Sequence, residues 1–121
     1  MSVFSKTAVC RQTEPGVGEA EAKSVFQWLK SGEAVLVDVR ETDEYASEHI
    51  SGSILSPLSM FEPEVFPKFT GKRVVMVCAI GKRSWAAAKQ LTKVGYGDVI
   101  NLTGGLQAWK NAGCPTSVAV P

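Results

Sequence analysis

Among residue types able to carry covalent chemistry, several gather in one seven-residue stretch, Cys78-Ala79-Ile80-Gly81-Lys82-Arg83-Ser84. A cysteine reacts through its thiolate, so its surroundings decide whether it is a nucleophile. Cys78 ends an apolar run and precedes a helical pattern. Backbone N–H groups in such a loop lack strand or helix partners and can converge on one point. Gly81 lets the loop curl tightly. Lys82 and Arg83 add positive charge. Each of these factors favours the thiolate and predicts a lowered pKa for Cys78. The same cradle suits a small anion, and a thiolate inside it is a nucleophile for anionic substrates. The plainer alternative is a buried strand cysteine before a basic helix start. Basic residues at a helix N-terminus oppose the macrodipole, which favours the functional reading. A second polar spot, Asp38-Val39-Arg40, also ends an apolar run.

The other cysteines, Cys10 and Cys114, are widely spaced from Cys78 and from each other, and no C-x-x-C occurs. An odd, sparse set argues against a secreted disulfide framework. With one histidine, His49, and no close ligand pair, a structural zinc site is not expected. Cys10 and Cys114 are expected to be small buried hydrophobes, with a resolving role toward Cys78 as the alternative. The 13 Lys plus Arg against 12 Asp plus Glu give a net charge of +1. That balance argues against a strongly basic nucleic-acid surface and against an acidic tail. The first residues carry no apolar run of the kind a signal peptide needs, and no stretch approaches the roughly 18 apolar residues of a membrane span. A cytoplasmic protein with neither nucleic-acid nor membrane partners is the expectation.

The elements that must position these residues follow from periodicity. The 121 residues, 45% of them apolar, suffice for one domain, 1–121, and not for two. Glu14-Pro15-Gly16-Val17-Gly18 signals a turn after a weak strand near Val9-Cys10. From Glu19 to Lys30, Ala22, Val25, Phe26 and Leu29 line one helical face. Ala34 to Val39 is a near-continuous apolar run, as in a strand buried on both faces. A short acidic helical turn is expected at Glu41–Ser47, a short strand at Ser53–Pro57, and one helical turn within 58–70. Arg73–Cys78 is the second strong strand, Ser84–Val94 a helix, Asp98–Leu102 a third strand, and Gly104-Gly105 opens a last helix. This alternation implies an α/β fold with right-handed crossovers and a parallel sheet covered on both faces. In such sheets ligands bind beyond the carboxyl ends of the strands, where Asp38–Arg40 and Cys78–Ser84 both lie.

The loop Cys78-x-x-Gly81-x-Arg83-Ser84 resembles the active-site loop of rhodanese-type sulfurtransferases. Three further segments agree in order: Asp38-Val39-Arg40, Glu48-His49-Ile50-Ser51-Gly52-Ser53-Ile54, and Gly104-Gly105-Leu106-Gln107-Ala108-Trp109. The resemblance covers roughly residues 8–116. It implies a three-layer rhodanese-like fold with about five mostly parallel strands. Cys78 would take a sulfane sulfur from a small anionic donor such as thiosulfate, or from a persulfide. The resulting Cys78 persulfide would pass it to a thiol, cyanide or protein acceptor in a ping-pong cycle. The amides of Ala79, Ile80, Gly81, Lys82, Arg83 and Ser84 would hold the persulfide, and Lys82 and Arg83 would attract the donor. No cofactor or metal is implied. Asp38 and Arg40 would brace the loop or line its rim, and His49 would close a turn rather than act as a base. Trp85 and Trp109 would pack in the core or at the rim. Ser51 stands where the family often has proline, and Ile80 puts an apolar side chain into the loop.

Two rivals remain. A phosphatase or arsenate reductase of related fold carries Cys-x5-Arg, whereas only four residues separate Cys78 from Arg83, making a smaller nest. A non-turnover persulfide relay or regulatory module is hard to separate from an enzyme on residues alone. Gly81-Lys82 lacks the flanking residues of a nucleotide P-loop. Asn101-Leu-Thr103 spells a glycosylation sequon, expected to be a chance match because no secretory signal is expected.

Overall fold

The structure, a computed structural model, describes the backbone of residues 10–14 and 16–118 and the side chains of 16–118. Val9, Pro15 and the Cys10 side chain, on which expectations fall, lie outside the described residues. The chain runs β1 (Cys10–Glu14), β2 (Val17–Ala20), α1 (Ala22–Lys30), β3 (Ala34–Asp38), α2 (Thr42–Ser47), β4 (Ile54–Leu55), β5 (Arg73–Val77), α3 (Lys82–Lys93), β6 (Val99–Leu102) and α4 (Gly105–Asn111). The strands form one sheet in the order β1-β2-β6-β5-β3-β4. Five of them, β2 to β6, are parallel. The sixth, β1, pairs antiparallel with β2 at the edge.

Alternation along the strands divides the apolar residues between two clusters. On one face Val75 and Val77 of β5 meet Val25 and Trp28 of α1 and Leu106 and Trp109 of α4. On the other, Val74, Met76 and Cys78 meet Ala87, Ala88 and Leu91 of α3, with Phe61, Phe66, Phe69 and Trp85 packed around them. The result is three layers, with helices on both faces of the sheet.

Three expectations need correction. The helix placed at Glu19–Lys30 begins at Ala22, because Val17–Ala20 pairs with β6 as a strand. Strand pairing overrides the helical pattern there: Val17 and Ala20 are buried in the sheet. The segment 58–70 holds two 3-10 turns, Leu58–Met60 and Pro63–Val65, rather than one. Helix α3 begins at Lys82, two residues before the Ser84 expected from periodicity, since its first turn is polar.

The chain leaves β3 for β4 on one side and returns to β5 on the other. The β3–β5 pair is therefore the switch point, where an open α/β sheet forms a crevice. Asp38 lies opposite Val77, and the Val39 amide donates to the Val77 carbonyl at 2.9 Å. Asp38–Arg40 and the loop after β5 thus emerge side by side at the same end of the sheet.

Candidate active site

The loop from Cys78 to Ser84 is shaped by what grips its carbonyls. Leu106 N–H donates to the Cys78 carbonyl at 2.8 Å and Gln107 N–H to that of Ala79 at 3.1 Å. The first turn of α4 therefore sits against the outside of the loop. Gly105 makes this approach workable: a Cβ there would lie 2.5 Å from the Cys78 carbonyl oxygen and 2.6 Å from that of Ala79. With carbonyls turned outward, the loop amides are free to face the sulfur. Gly81, at φ +101°, turns the chain into α3. The Asn101 side chain, buried on β6, donates from Nδ2 to the Gly81 carbonyl at 3.1 Å.

Cys78 itself is 1% exposed. Its Sγ accepts a hydrogen bond from Gly81 N–H at 3.1 Å and one from Ser84 Oγ–H at 3.3 Å. Burial pushes the thiol pKa up, and is the largest single influence. The Ser84 hydroxyl and the Ser84, Gly81 and Ile80 amides together outweigh it, so the thiol lies below its ordinary range. Ser84 Oγ is also 2.6 Å from Asn101 Oδ1. One hydroxyl proton serves one acceptor at a time. Cys78 Sγ and Asn101 Oδ1 therefore share the Ser84 hydroxyl.

The basic residues behave differently from their expected part. Arg83 is engaged in a bidentate pair with Glu44, Nη1–Oε1 2.8 Å and Nη2–Oε2 2.9 Å. The pair holds the Glu44 carboxyl at about 2 and pushes the guanidinium up. Lys82 is exposed and pairs with no carboxylate among the described residues. The largest influences that lower the Cys78 pKa are therefore a hydroxyl and amides at hydrogen-bond distance.

Asp38 and Arg40 are both buried and clasp each other, Arg40 Nη2 to Asp38 Oδ2 at 2.8 Å and Nε to Oδ1 at 3.0 Å. Arg40 also donates to the carbonyls of Glu44 and Glu48. The hydrogen bonds of these two residues brace α2, and so the segment bearing Glu44, the partner of Arg83. His49 stacks on Tyr45 at 4.0 Å, holds the Tyr45 carbonyl through Nδ1 at 2.8 Å, and bridges backbone to Ser117. Those contacts tie a turn together. Trp109 is buried in the core with its indole N–H on the Pro115 carbonyl. Cys114 is buried as well. No group of three or more His, Cys, Asp or Glu among the described residues is placed to hold a metal ion.

Asn101 is a further site residue that the sequence motifs do not single out. The usable signal was a lone polar side chain inside the strand Val99-Ile-Asn-Leu102, since a buried amide demands partners. Glu19 and Thr103 continue the network: Asn101 Nδ2 donates to Glu19 Oε2 at 3.1 Å and Thr103 Oγ1 to Glu19 Oε1 at 2.8 Å.

A cysteine cradled by loop amides at the switch point of a mostly parallel sheet defines an α/β protein built for nucleophilic or anion chemistry. Residues 21–112 match the rhodanese-like domain family. The chain belongs to that family. A protein of Synechocystis, uncharacterized, is 44% identical over 96 residues, covering 78% of this chain and 54% of that one. This chain thus spans about half the length of that relative. A sulfurtransferase of Allochromatium vinosum is 35% identical over 100 residues, covering 82% of this chain and 94% of that one. A rhodanese-related protein of Thermoplasma volcanium has the same fold, with a TM-score of 0.71 and 27% identity over 82% of this chain and 96% of that one. Among the described residues no helix is long and apolar enough to cross a membrane.

Proposed function

We propose that this protein is a sulfurtransferase that carries a sulfane sulfur on Cys78. The Cys78 thiolate attacks the outer sulfur of the donor, thiosulfate or an organic persulfide. The donor S–S bond breaks, its electron pair leaves with sulfite or a thiolate, and Cys78–S–S⁻ remains. An acceptor thiolate or cyanide then attacks that outer sulfur, and the Cys78 thiolate departs. No oxidant or reductant is consumed, and the two half-reactions share one sulfur, Cys78 Sγ, as nucleophile in the first and leaving group in the second, as in covalent ping-pong catalysis.

One observation carries this reading. Cys78 Sγ is buried yet receives both Gly81 N–H and Ser84 O–H, a setting that favours charge on sulfur in a site nearly closed to water. The sulfurtransferase of Allochromatium vinosum, which this chain covers almost end to end, supports it. A four-residue spacing from Cys78 to Arg83, with Arg83 paired to Glu44, counts against phosphate hydrolysis.

Mass spectrometry after exposure to a sulfane-sulfur donor tests the proposal. The protein gains one sulfur atom, mapped to the Cys78 peptide, and addition of cyanide removes it as thiocyanate. Cys78→Ser abolishes the gain. Sulfur acceptance at full rate by Cys78→Ser overturns the mechanism. Loading without discharge to cyanide or any thiol favours a relay over an enzyme.

A further inference from the structure

The rim of the site differs from what a dianionic donor needs. Thiosulfate carries two charges, and recognition of such an anion calls for free charge-assisted donors in a fork. The loop owns one fork, Arg83, and Glu44 occupies both of its terminal nitrogens. Glu44 is itself fixed, because its Oε1 accepts the Glu41 N–H in the capping box of α2. With a carboxyl pKa of about 2, Glu44 remains ionised at any working pH and the clasp does not open by protonation. Lys82 is a single exposed point charge. Ile80, one residue before Gly81, is 59% exposed. Met60, also exposed, stands on the turn whose Leu58 amide is anchored to the Val39 carbonyl at the same end of the sheet. An exposed apolar side chain two residues from the nucleophile, Ile80, makes a hydrated dianion costly to seat and suits a carbon chain.

Resting on the sulfurtransferase reading, we infer that Glu44 withholds Arg83 from anionic donors, and that the site takes its sulfur from an organic persulfide, R–S–SH, with the carbon group against Ile80. Cys78 thiolate attacks the terminal sulfur, the S–S bond breaks, RS⁻ leaves, and the proton stays with the new Cys78–S–SH. Charge and electrons balance with no third reactant. Glu44 is a positioning residue that acts through Arg83, and Ile80 is a specificity residue.

The experiment measures the rate at which the full chain gains sulfur from two probes, thiosulfate and 2-hydroxyethyl hydropersulfide released in situ. Wild-type protein loads from the hydropersulfide faster than from thiosulfate. Glu44→Gln keeps an oxygen for the capping box but frees Arg83. It raises the thiosulfate-to-persulfide ratio of rate constants about tenfold, the effect of one charge-assisted bond. Ile80→Lys, which leaves the ion pair intact, raises the same ratio, and Ile80→Ala lowers the persulfide rate severalfold. A structural role for Glu44 would lower both rates together and leave the ratio unmoved. Equal loading by the two donors in wild type, or an unchanged ratio in both Glu44→Gln and Ile80→Lys, overturns this inference alone. Absence of loading from either donor in wild type overturns the sulfurtransferase reading with it.

Discussion

Cys78 and Cys114 are the same residue type, both free, and buried to similar degree, at 1% and 9% exposed. Burial pushes both thiols up. For Cys114 nothing reverses it, Lys23 pulling only weakly the other way, and the thiol lies above its ordinary range. For Cys78 the same push is overcome by hydrogen bonds, and the thiol lies below. What separates a nucleophile from a small core residue here is above all the set of donors aimed at sulfur, and not depth. Those donors exist because Cys78 is followed by a loop whose carbonyls are taken elsewhere. Cys114 follows the turn that ends α4, and its own amide closes that turn on the Trp109 carbonyl at 3.1 Å.

The contrast is broken most severely at Gly105. Its Cβ-less approach, at φ +63°, keeps the Cys78 and Ala79 carbonyls engaged with α4. Gly105→Ala adds backbone strain to a clash with the loop backbone, costing about 2 kcal/mol or more. The loop must move, and its amides with it. The expected result is a lower melting temperature, together with alkylation of Cys78 by iodoacetamide at neutral pH slowed by well over tenfold. A Gly105→Ala protein whose Cys78 still alkylates as the wild type does would show that α4 does not hold the donors in place.

A smaller, cleaner change is Ser84→Ala. It removes one donor to the thiolate and leaves the loop backbone as it was. A hydrogen bond to a charged group contributes ~1.5 kcal/mol or more, and one pKa unit corresponds to about 1.4 kcal/mol. The Cys78 pKa rises, so the pH profile of alkylation moves to higher pH by about one unit and the neutral-pH rate falls about tenfold. The sign for stability follows by linkage. A thiol with a depressed folded pKa stabilises the fold above its unfolded value, and loses that contribution as pH falls through the folded value. Ser84→Ala raises the lower edge of that window. A profile that stays in place would mean the amides alone set the pKa.

Much of this site was legible in the sequence, for identifiable reasons. The apolar runs at Ala34–Val39 and Arg73–Cys78 are uninterrupted and β-branched, so both central strands and the loop between Cys78 and Ser84 are marked locally. Val17–Ala20 is not: a four-residue strand flanked by glycine and a helical pattern shows its nature only by pairing with β1 and β6. The basic loop residues misled in a different way. Lys82 and Arg83 lie next to Cys78 in sequence, yet Glu44, 39 residues away, claims Arg83, and no local pattern announces a tertiary ion pair. Gly105 is legible as a helix start and Asn101 as a lone polar residue in a strand, but what they grip is not, since each acts on a loop more than 15 residues distant.

The comparison is sharpened last and most gently by Cys114→Ala. Val75 and Val77 share a cluster with Cys114, while Val74 and Met76 share one with Cys78. The two thiols lie on opposite faces of the sheet. A disulfide needs Cα atoms within about 7 Å and side chains directed toward each other, so Cys114 reaches Cys78 only if the sheet is breached. Its raised pKa also leaves little thiolate to attack a persulfide at neutral pH. Removing the sulfur of this small buried side chain costs about 1 kcal/mol. Peptide-resolved mass spectrometry, which separates the Cys10, Cys78 and Cys114 peptides, is the measurement. Cys114→Ala is expected to load and discharge sulfur at Cys78 within about twofold of wild type, with only a small drop in melting temperature. Normal loading followed by failed discharge would instead make Cys114 a resolving thiol, and would require the loop or sheet edge to open during turnover.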